Sequence, residues 1–259
     1  MTQGGLRYQG IAQCDSMITL DECAERRKGL DDRDDIGPDV SFVAPEPDPS
    51  VPAPNRGGVG YRFVKRAFDL VFSGVACAAG LIPGALLCVV ICLDSPGSPI
   101  FRQGRVGKDG RPIRIFKFRS MYADAHDHPE RYLDEAQLAQ WKREQKVDGD
   151  PRVTRVGRLL RRTSLDEFPQ FLNVLKGDLS VIGPRPVTEQ ETYEFGDARD
   201  EFLSCKPGIT GWWQVTERNN ATWENHERQL LELFYVRHAS IPLDLRIFFR
   251  TFKAMGRGQ

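Results

Sequence analysis

Hydrophobic and polar positions divide this chain into three stretches. Residues 1 to about 60 are polar and acidic, with Pro38, Pro45, Pro47, Pro49, Pro52 and Pro54 crowding their second half. Such a composition buries too little apolar area to offset its ordering entropy, so a disordered tail is expected, ending at Gly57-Gly58. The next stretch, Leu70 to Leu93, runs for 24 residues without a charge, long enough to cross a bilayer's hydrocarbon core. Pro83, flanked by Gly80 and Gly84, stands near its middle, where a proline kinks or breaks a helix. Bases lie on both sides: Arg62, Lys65 and Arg66 before, Arg102 and Arg105 after. Short basic flanks stay cytoplasmic, so a re-entrant helix that bends at Pro83 and returns is the economical topology. A Pro-kinked single span and a buried soluble helix are the alternatives.

The third stretch, residues 96–259, mixes short apolar runs with helical periodicity. Pro99 to Val106 and Arg111 to Ser120 flank Gly107-Lys108-Asp109-Gly110 and predict a β-hairpin, with Lys117 and Arg119 on one side of the second strand. Residues 121–147 read as a polar helical excursion. Arg155 to Arg162 form a basic amphipathic run that leads into the adjacent carboxylates Asp166 and Glu167. Leu165, Phe168, Leu172 and Leu175 then mark a helical face that Gly177 terminates. Leu179 to Ile182 is a short apolar run delivering Arg185 between Pro184 and Pro186. A helix through Trp223 to Arg237 follows. Leu243 to Met255 is apolar except for a stripe of Arg246, Arg250 and Lys253, as suits a helix lying in the membrane interface or packing on the core. The fold class is therefore α+β, mostly helical with a small β-hairpin.

Charge changes the picture little overall and much locally. The 259 residues balance to zero, but the first 60 carry eleven acids against six bases, which leaves the remainder mildly basic. A basic body favours phosphate or anionic lipid; a solvated surface of mixed charge is the bland meaning. Six cysteines show no metal-ligand spacing, and three of them lie in the apolar run, as expected of a reduced, cytosol-facing protein. No cleavable signal peptide is visible.

The densest chemistry lies at 155–190. Carboxylates act as nucleophile, base or metal ligand, and guanidinium groups grip phosphate through paired hydrogen bonds. The structural alternative is a capping box, Ser164 with Glu167, which Pro169 strains unless the helix starts nearer Glu167 or Phe168. Three weaker signals complete the search. His126 and His128 have H-x-H spacing in what reads as a loop. Asp148-Gly149-Asp150, followed by Pro151, reads as a turn although it has the spacing of a D-x-D acid pair. Trp212 and Trp213 suit stacking on a base, a headgroup-level position or the core.

Taken together, KRAFDL at 65–70, the Pro-broken apolar helix, FKFRSM at 116–121, RRTSLDEFPQFLNVLKGDLSVIGPRP at 161–186, KPGITGWWQV at 206–215, RNN at 218–220 and the FYV...LDL stretch resemble the bacterial sugar transferases. These are the monotopic polyprenyl-phosphate phosphoglycosyl transferases of the bacterial inner membrane's cytoplasmic face, which initiate exopolysaccharide, capsule or glycan assembly. The resemblance runs from about residue 61 to the C-terminus. In place of the four-helix membrane domain of larger members this chain has its acidic tail. It implies three parts: a tail at 1–60, a membrane helix at 61–95 and a catalytic domain at 96–259.

The activity implied is transfer of a sugar 1-phosphate from a UDP-sugar to polyprenyl (undecaprenyl) phosphate, with UMP released. Asp166 would be the nucleophile, through a phosphosugar-aspartyl enzyme, and Glu167 its helper. Mg²⁺ would be required, with Asp166 as a ligand. Arg185, Arg162, Lys117 and Arg119 are the phosphate-binding candidates, joined by Arg218 and Asn219 of the RNN match. Membrane lipid and a second copy of the chain are the further partners considered; no nucleic-acid-binding motif is present. Two other classes compete: a membrane-tethered binding module whose acid pair only caps a helix, and a metal-dependent glycosyl transferase using Asp148 and Asp150. Release of UMP, of UDP or no turnover separates the three.

Overall fold

The computed structural model describes residue 44, residues 58–144, residue 147, residues 149–216, residue 223 and residues 226–256. Apart from Ala44 and residues 58–60, the acidic tail lies outside them. The fold is α+β, as expected.

The apolar stretch forms one helix, α1 (Val59–Asp94), the single helix among the described residues long and apolar enough to cross a membrane. It differs from expectation at Pro83, which lies inside the helix without interrupting it. Proline removes one backbone bond and crowds the carbonyl four residues back. Packing on both sides of it accounts for the continuity. Tyr61, Phe68 and Phe72 join the main core before it, and Leu87, Cys88 and Ile91 pack with Phe118 and Leu160 after it. The opposite face is bare: Val71, Val75, Ile82, Leu86 and Leu93 are all more than 60% exposed.

The charged residues of KRAFDL turn out to be fasteners rather than free flanks. Arg66 donates to the carbonyls of Val174 and Leu175 at 2.7 and 3.0 Å. Lys65 meets Asp244 at 2.7 Å and Tyr235 at 3.2 Å. Asp69, only 3% exposed, accepts from the Ser180 hydroxyl and the Val181 N–H at 3.0 and 2.9 Å.

The hairpin is present as β1 (Ile100–Val106) and β2 (Pro112–Phe118), antiparallel with Ile100 opposite Phe118 and Val106 opposite Pro112. After the polar α2 (Glu135–Glu144) come α3 (Arg155–Thr163) and α4 (Gln170–Lys176). Gly177 ends α4 in the left-handed region, as expected. Asn173, fully buried on α4, accepts from the Phe116 N–H at 2.9 Å and donates to the Arg114 carbonyl at 2.7 Å, locking that helix to β2.

A second, parallel pair joins β3 (Ser180–Ile182) to β4 (Gly208–Thr210). A Cβ at Gly208 would stand 2.1 Å from the Gly183 nitrogen, so glycine is what lets these backbones meet. Between the two strands lie α5 (Glu189–Tyr193) and α6 (Arg199–Leu203). The chain closes with α7 (Trp212–Thr216), α8 (Glu227–His238) and α9 (Ile241–Gly256). On α9, Leu243 and Ile247 are buried while Leu245, Phe249 and Phe252 face outward.

Candidate active site

The acid pair stands on a connection whose shape the sequence only partly foretells. Thr154 caps α3 by accepting from the Gly157 N–H. The helix ends at Ser164, which takes a left-handed conformation with φ 56°. Ser164 therefore closes α3 and forms no capping box with Glu167; its side chain makes no capping bond. Leu165–Glu167 is a single 3₁₀ turn, and Pro169 serves as the N-cap of α4. Proline has no N–H to lose there, which is why the regular helix waits until Gln170.

Immediately after the pair, Phe168 presses onto the apolar helix α1. A Cβ at Gly80 would come within 2.1 Å of its ring, so the side chain missing at Gly80 is what admits the aromatic. The acid pair is thereby held beside the midpoint of the apolar segment.

Beside the pair opens a cleft lined by Arg105, Lys117, Glu167, Gln170, Arg185 and Gln214 among others. Lys117 Nζ lies 3.5 Å from Glu167 Oε1. Burial holds the Asp166 carboxyl above its ordinary range, and the neighbouring Glu167 charge pushes the same way, against Lys117 and Arg161. Burial pulls the Lys117 ammonium down, with Glu167 opposing. Arg105 is drawn down to about 10 by the same desolvation.

Arg185 reaches the cleft from the Pro-clamped loop after β3. Its guanidinium rests over the Trp213 ring, 5.5 Å from the centroid. Among the described residues no carboxylate lies within ion-pair distance of it. Behind it, Arg228 is stacked between Trp213 and Trp223 at 4.5 and 3.9 Å. Trp213 is 6% exposed, so of the three sequence readings the core holds, with cations on the ring as an addition.

Lys117, Glu167 and Arg185 are thus brought together, with Asp166 adjacent. Arg119 is not among them. It is buried, and its guanidinium donates to the carbonyls of Ile91, Ser95 and Pro96, where α1 ends. The Ile91 carbonyl also accepts from the Ser95 N–H at 3.2 Å, while those of Ser95 and Pro96 lie past the last helical turn, and a cation suits this carbonyl end of the helix. Arg162 is exposed on the last turn of α3 and does not line the cleft. Arg218 and Asn219 lie outside the described residues. Arg105, Gln170 and Gln214 were not singled out in the sequence. Arg105 counted there only as a membrane flank, although it stands one residue before the end of a strand that pairs with the strand of Lys117.

The model of a family described as bacterial sugar transferase matches residues 60–258. The chain belongs to the bacterial sugar transferase family. A UDP-galactose-lipid carrier transferase of Erwinia amylovora is 39% identical over 192 residues, covering 73% of this chain and 40% of that protein. A UDP-glucose:undecaprenyl-phosphate glucose-1-phosphate transferase of Escherichia coli K12 is 39% identical over 198 residues, covering 73% and 39%. An exopolysaccharide production protein, ExoY, of Sinorhizobium fredii is 37% identical over 198 residues, covering 74% of this chain and 84% of its own length. The chain therefore spans about two fifths of the first two and most of the third.

The divalent metal expected of a bacterial sugar transferase fits the acid pair by donor chemistry. Mg²⁺ takes one or two carboxylates and completes its shell with water and substrate phosphates, rather than needing an all-protein cage. Asp166 and Glu167 supply such a pair, and no group of three or more His, Cys, Asp or Glu that could hold a metal occurs among the described residues. The competing acid pair is less suited. Asp150 is held by Arg152 at 2.9 and 2.8 Å, in a turn where the arginine also covers Trp141, and Asp148 lies outside the described residues. His128 is turned toward Glu130 at 3.1 Å, and His126 lies edge-on to Phe101.

Proposed function

We propose that this bacterial sugar transferase moves a sugar 1-phosphate from a UDP-sugar to undecaprenyl phosphate, releasing UMP, with Asp166 as nucleophile. One observation carries the reading: a partly buried carboxylate pair adjoins a cleft into which Lys117, Arg105 and Arg185 converge. An anionic nucleophile approaching a diphosphate is repelled unless cations share the spot, and here they do. Relatives named for galactose or glucose transfer to a lipid carrier support the substrate class and make UDP-galactose and UDP-glucose the first donors to try.

An oxygen of Asp166 attacks the sugar-side phosphorus, and the bond from that phosphorus to the bridging oxygen breaks. UMP leaves with the bridging oxygen, and the phosphosugar stays on the aspartate. An oxygen of the acceptor phosphate then attacks the same phosphorus, and the Asp166 carboxylate is restored. Glu167, steadied by Lys117, takes the acceptor's proton. Arg185 and Arg105 hold the phosphate oxygens. Bound Mg²⁺ would supply charge neutralisation between the Asp166 and Glu167 carboxylates and the diphosphate.

The same proposal places the chain on the cytoplasmic face of the inner membrane. Segments of α1 on both sides of Pro83 pack against one catalytic body, while its far face and the outer side of α9 are apolar and bare. Both ends of α1 on one side of the bilayer fit that packing better than a crossing does. The organisation we infer is a tail at 1–60, a re-entrant membrane element at 61–95 and a catalytic unit at 96–259. Incubating the full chain with undecaprenyl phosphate and a panel of UDP-sugars tests the activity. UMP and a lipid-linked diphosphate sugar are expected; UDP as the product would overturn the reading in favour of plain glycosyl transfer.

A further inference from the structure

The helix α8 carries a carboxylate where its neighbours would predict a hydrocarbon. Leu231, Leu233, Phe234, Tyr235 and Val236 are buried, and Glu232 among them is fully inaccessible. A buried carboxylate is costly unless hydrogen bonds and opposite charge answer it. Both oxygens of Glu232 face one donor, the backbone N–H of Arg185, at 3.3 and 3.2 Å. Pro184 and Pro186 have no N–H, so this is the one backbone donor of the segment 184–186. On the other side the loop is pinned by backbone pairing, with the Gly183 N–H on the Thr210 carbonyl at 2.9 Å and the Pro184 carbonyl accepting from Gly208 at 2.8 Å. The backbone of Arg185 is thus held between β4 and Glu232, leaving its side chain to enter the cleft.

We propose that Glu232 is a positioning residue for donor binding: by capturing the N–H of Arg185 it fixes the direction in which that guanidinium meets the donor's diphosphate, without touching the donor itself. This rests on the reading of the cleft as the diphosphate site. The charged groups facing Glu232 are Arg228 on its own helix, Arg185 on the loop and Glu191 on α5, and they leave the carboxyl titrating at about 7, raised by burial and lowered by the two arginines. The charged form makes the stronger acceptor, so the grip is firm above that value and relaxes below it.

The test uses the full chain in detergent and UDP, the moiety common to every donor of the class. Glu232→Gln keeps the shape and one neutral acceptor; UDP affinity should fall about tenfold at about pH 8, the loss of one charge-assisted hydrogen bond. The ratio of wild-type to Gln affinity should shrink toward one by about pH 6, and a purely structural role would leave that ratio flat. Combined with Arg185→Ala, the Gln substitution should cost nothing further. Additive losses, or a pH-independent ratio, would overturn the role of Glu232. If Arg185→Ala alone leaves UDP affinity intact, the cleft reading fails instead. Should the Gln variant not fold, Glu232→Asp draws the charge back by one methylene, and unchanged UDP affinity in that protein would equally overturn the proposal.

Discussion

Two charged segments of this bacterial sugar transferase, KRAFDL on the apolar helix α1 and the cleft around the acid pair, look alike in the sequence and differ in the structure. On the helix, Lys65, Arg66 and Asp69 each meet protein partners at 2.7 to 3.2 Å. In the cleft, Lys117 and Glu167 are 3.5 Å apart, and Arg185 rests on an aromatic face. Charges matched internally build a fold; cations that converge on a cleft and are drawn down by burial, as Lys117 and Arg105 are, suit a ligand. The comparison also explains Arg119. By its spacing from Lys117 it was expected on the same side of the strand, yet it lies just past the end of β2 and by partners belongs with the fasteners, because it closes the end of α1.

The sharpest way to break this contrast is at the proposed nucleophile. Asp166→Asn should lower turnover by about 10⁴-fold or more, since an amide is a poor nucleophile, while the protein still partitions into membranes. Arg185→Ala should reduce kcat/KM for the UDP-sugar by about 10²-fold, and Arg185→Lys should recover only part of it, because a point charge does not replace the planar fork. The fasteners predict the reverse pattern. Asp69→Ala strands the buried Val181 N–H and should cost about 2 kcal/mol of stability, read by thermal or denaturant unfolding. The activity of the molecules that remain folded should stay within about threefold.

The smallest effect is the most discriminating. The Asp166 carboxyl titrates above its ordinary range, so the folded state holds a proton there that the unfolded chain has already lost. That ionisation therefore costs stability, fully above the raised value and not at all below the ordinary carboxylate range. Asp166→Asn should raise Tm by about 1–3 °C near neutral pH, and the gain should disappear on acidification.

Much of this was legible in the sequence, and the failures have physical causes. The hairpin, the α4 face ending at Gly177 and the apolar helix followed from periodicity and turn residues. The Ser164 capping box failed because Pro169 postpones the helix, letting Ser164 close the preceding one instead. At Pro83 the helix runs on unbroken because residues distant in sequence, such as Phe118 and Phe168, pack against Gly84 and Gly80 on either side of it; the re-entrant topology is a proposal that rests on that packing and not on a break. Of the phosphate candidates, Arg185 and Lys117 reach the cleft. Arg119 was misread because strand alternation tells which side a residue faces but not what waits there. Glu232 gave no local signal at all, since its partner lies 47 residues away.

The central claim is a covalent phosphosugar on Asp166, and trapping it is the direct measurement. Wild-type enzyme mixed with UDP-sugar in the absence of lipid acceptor, rapidly quenched and analysed by intact-protein and peptide mass spectrometry, should gain one sugar phosphate on the peptide containing Asp166, with stoichiometric UMP. Acceptor added before the quench should discharge it. Lipid-linked product forming at full rate with no such adduct at any time point, or in the Asp166→Asn protein, would contradict the account.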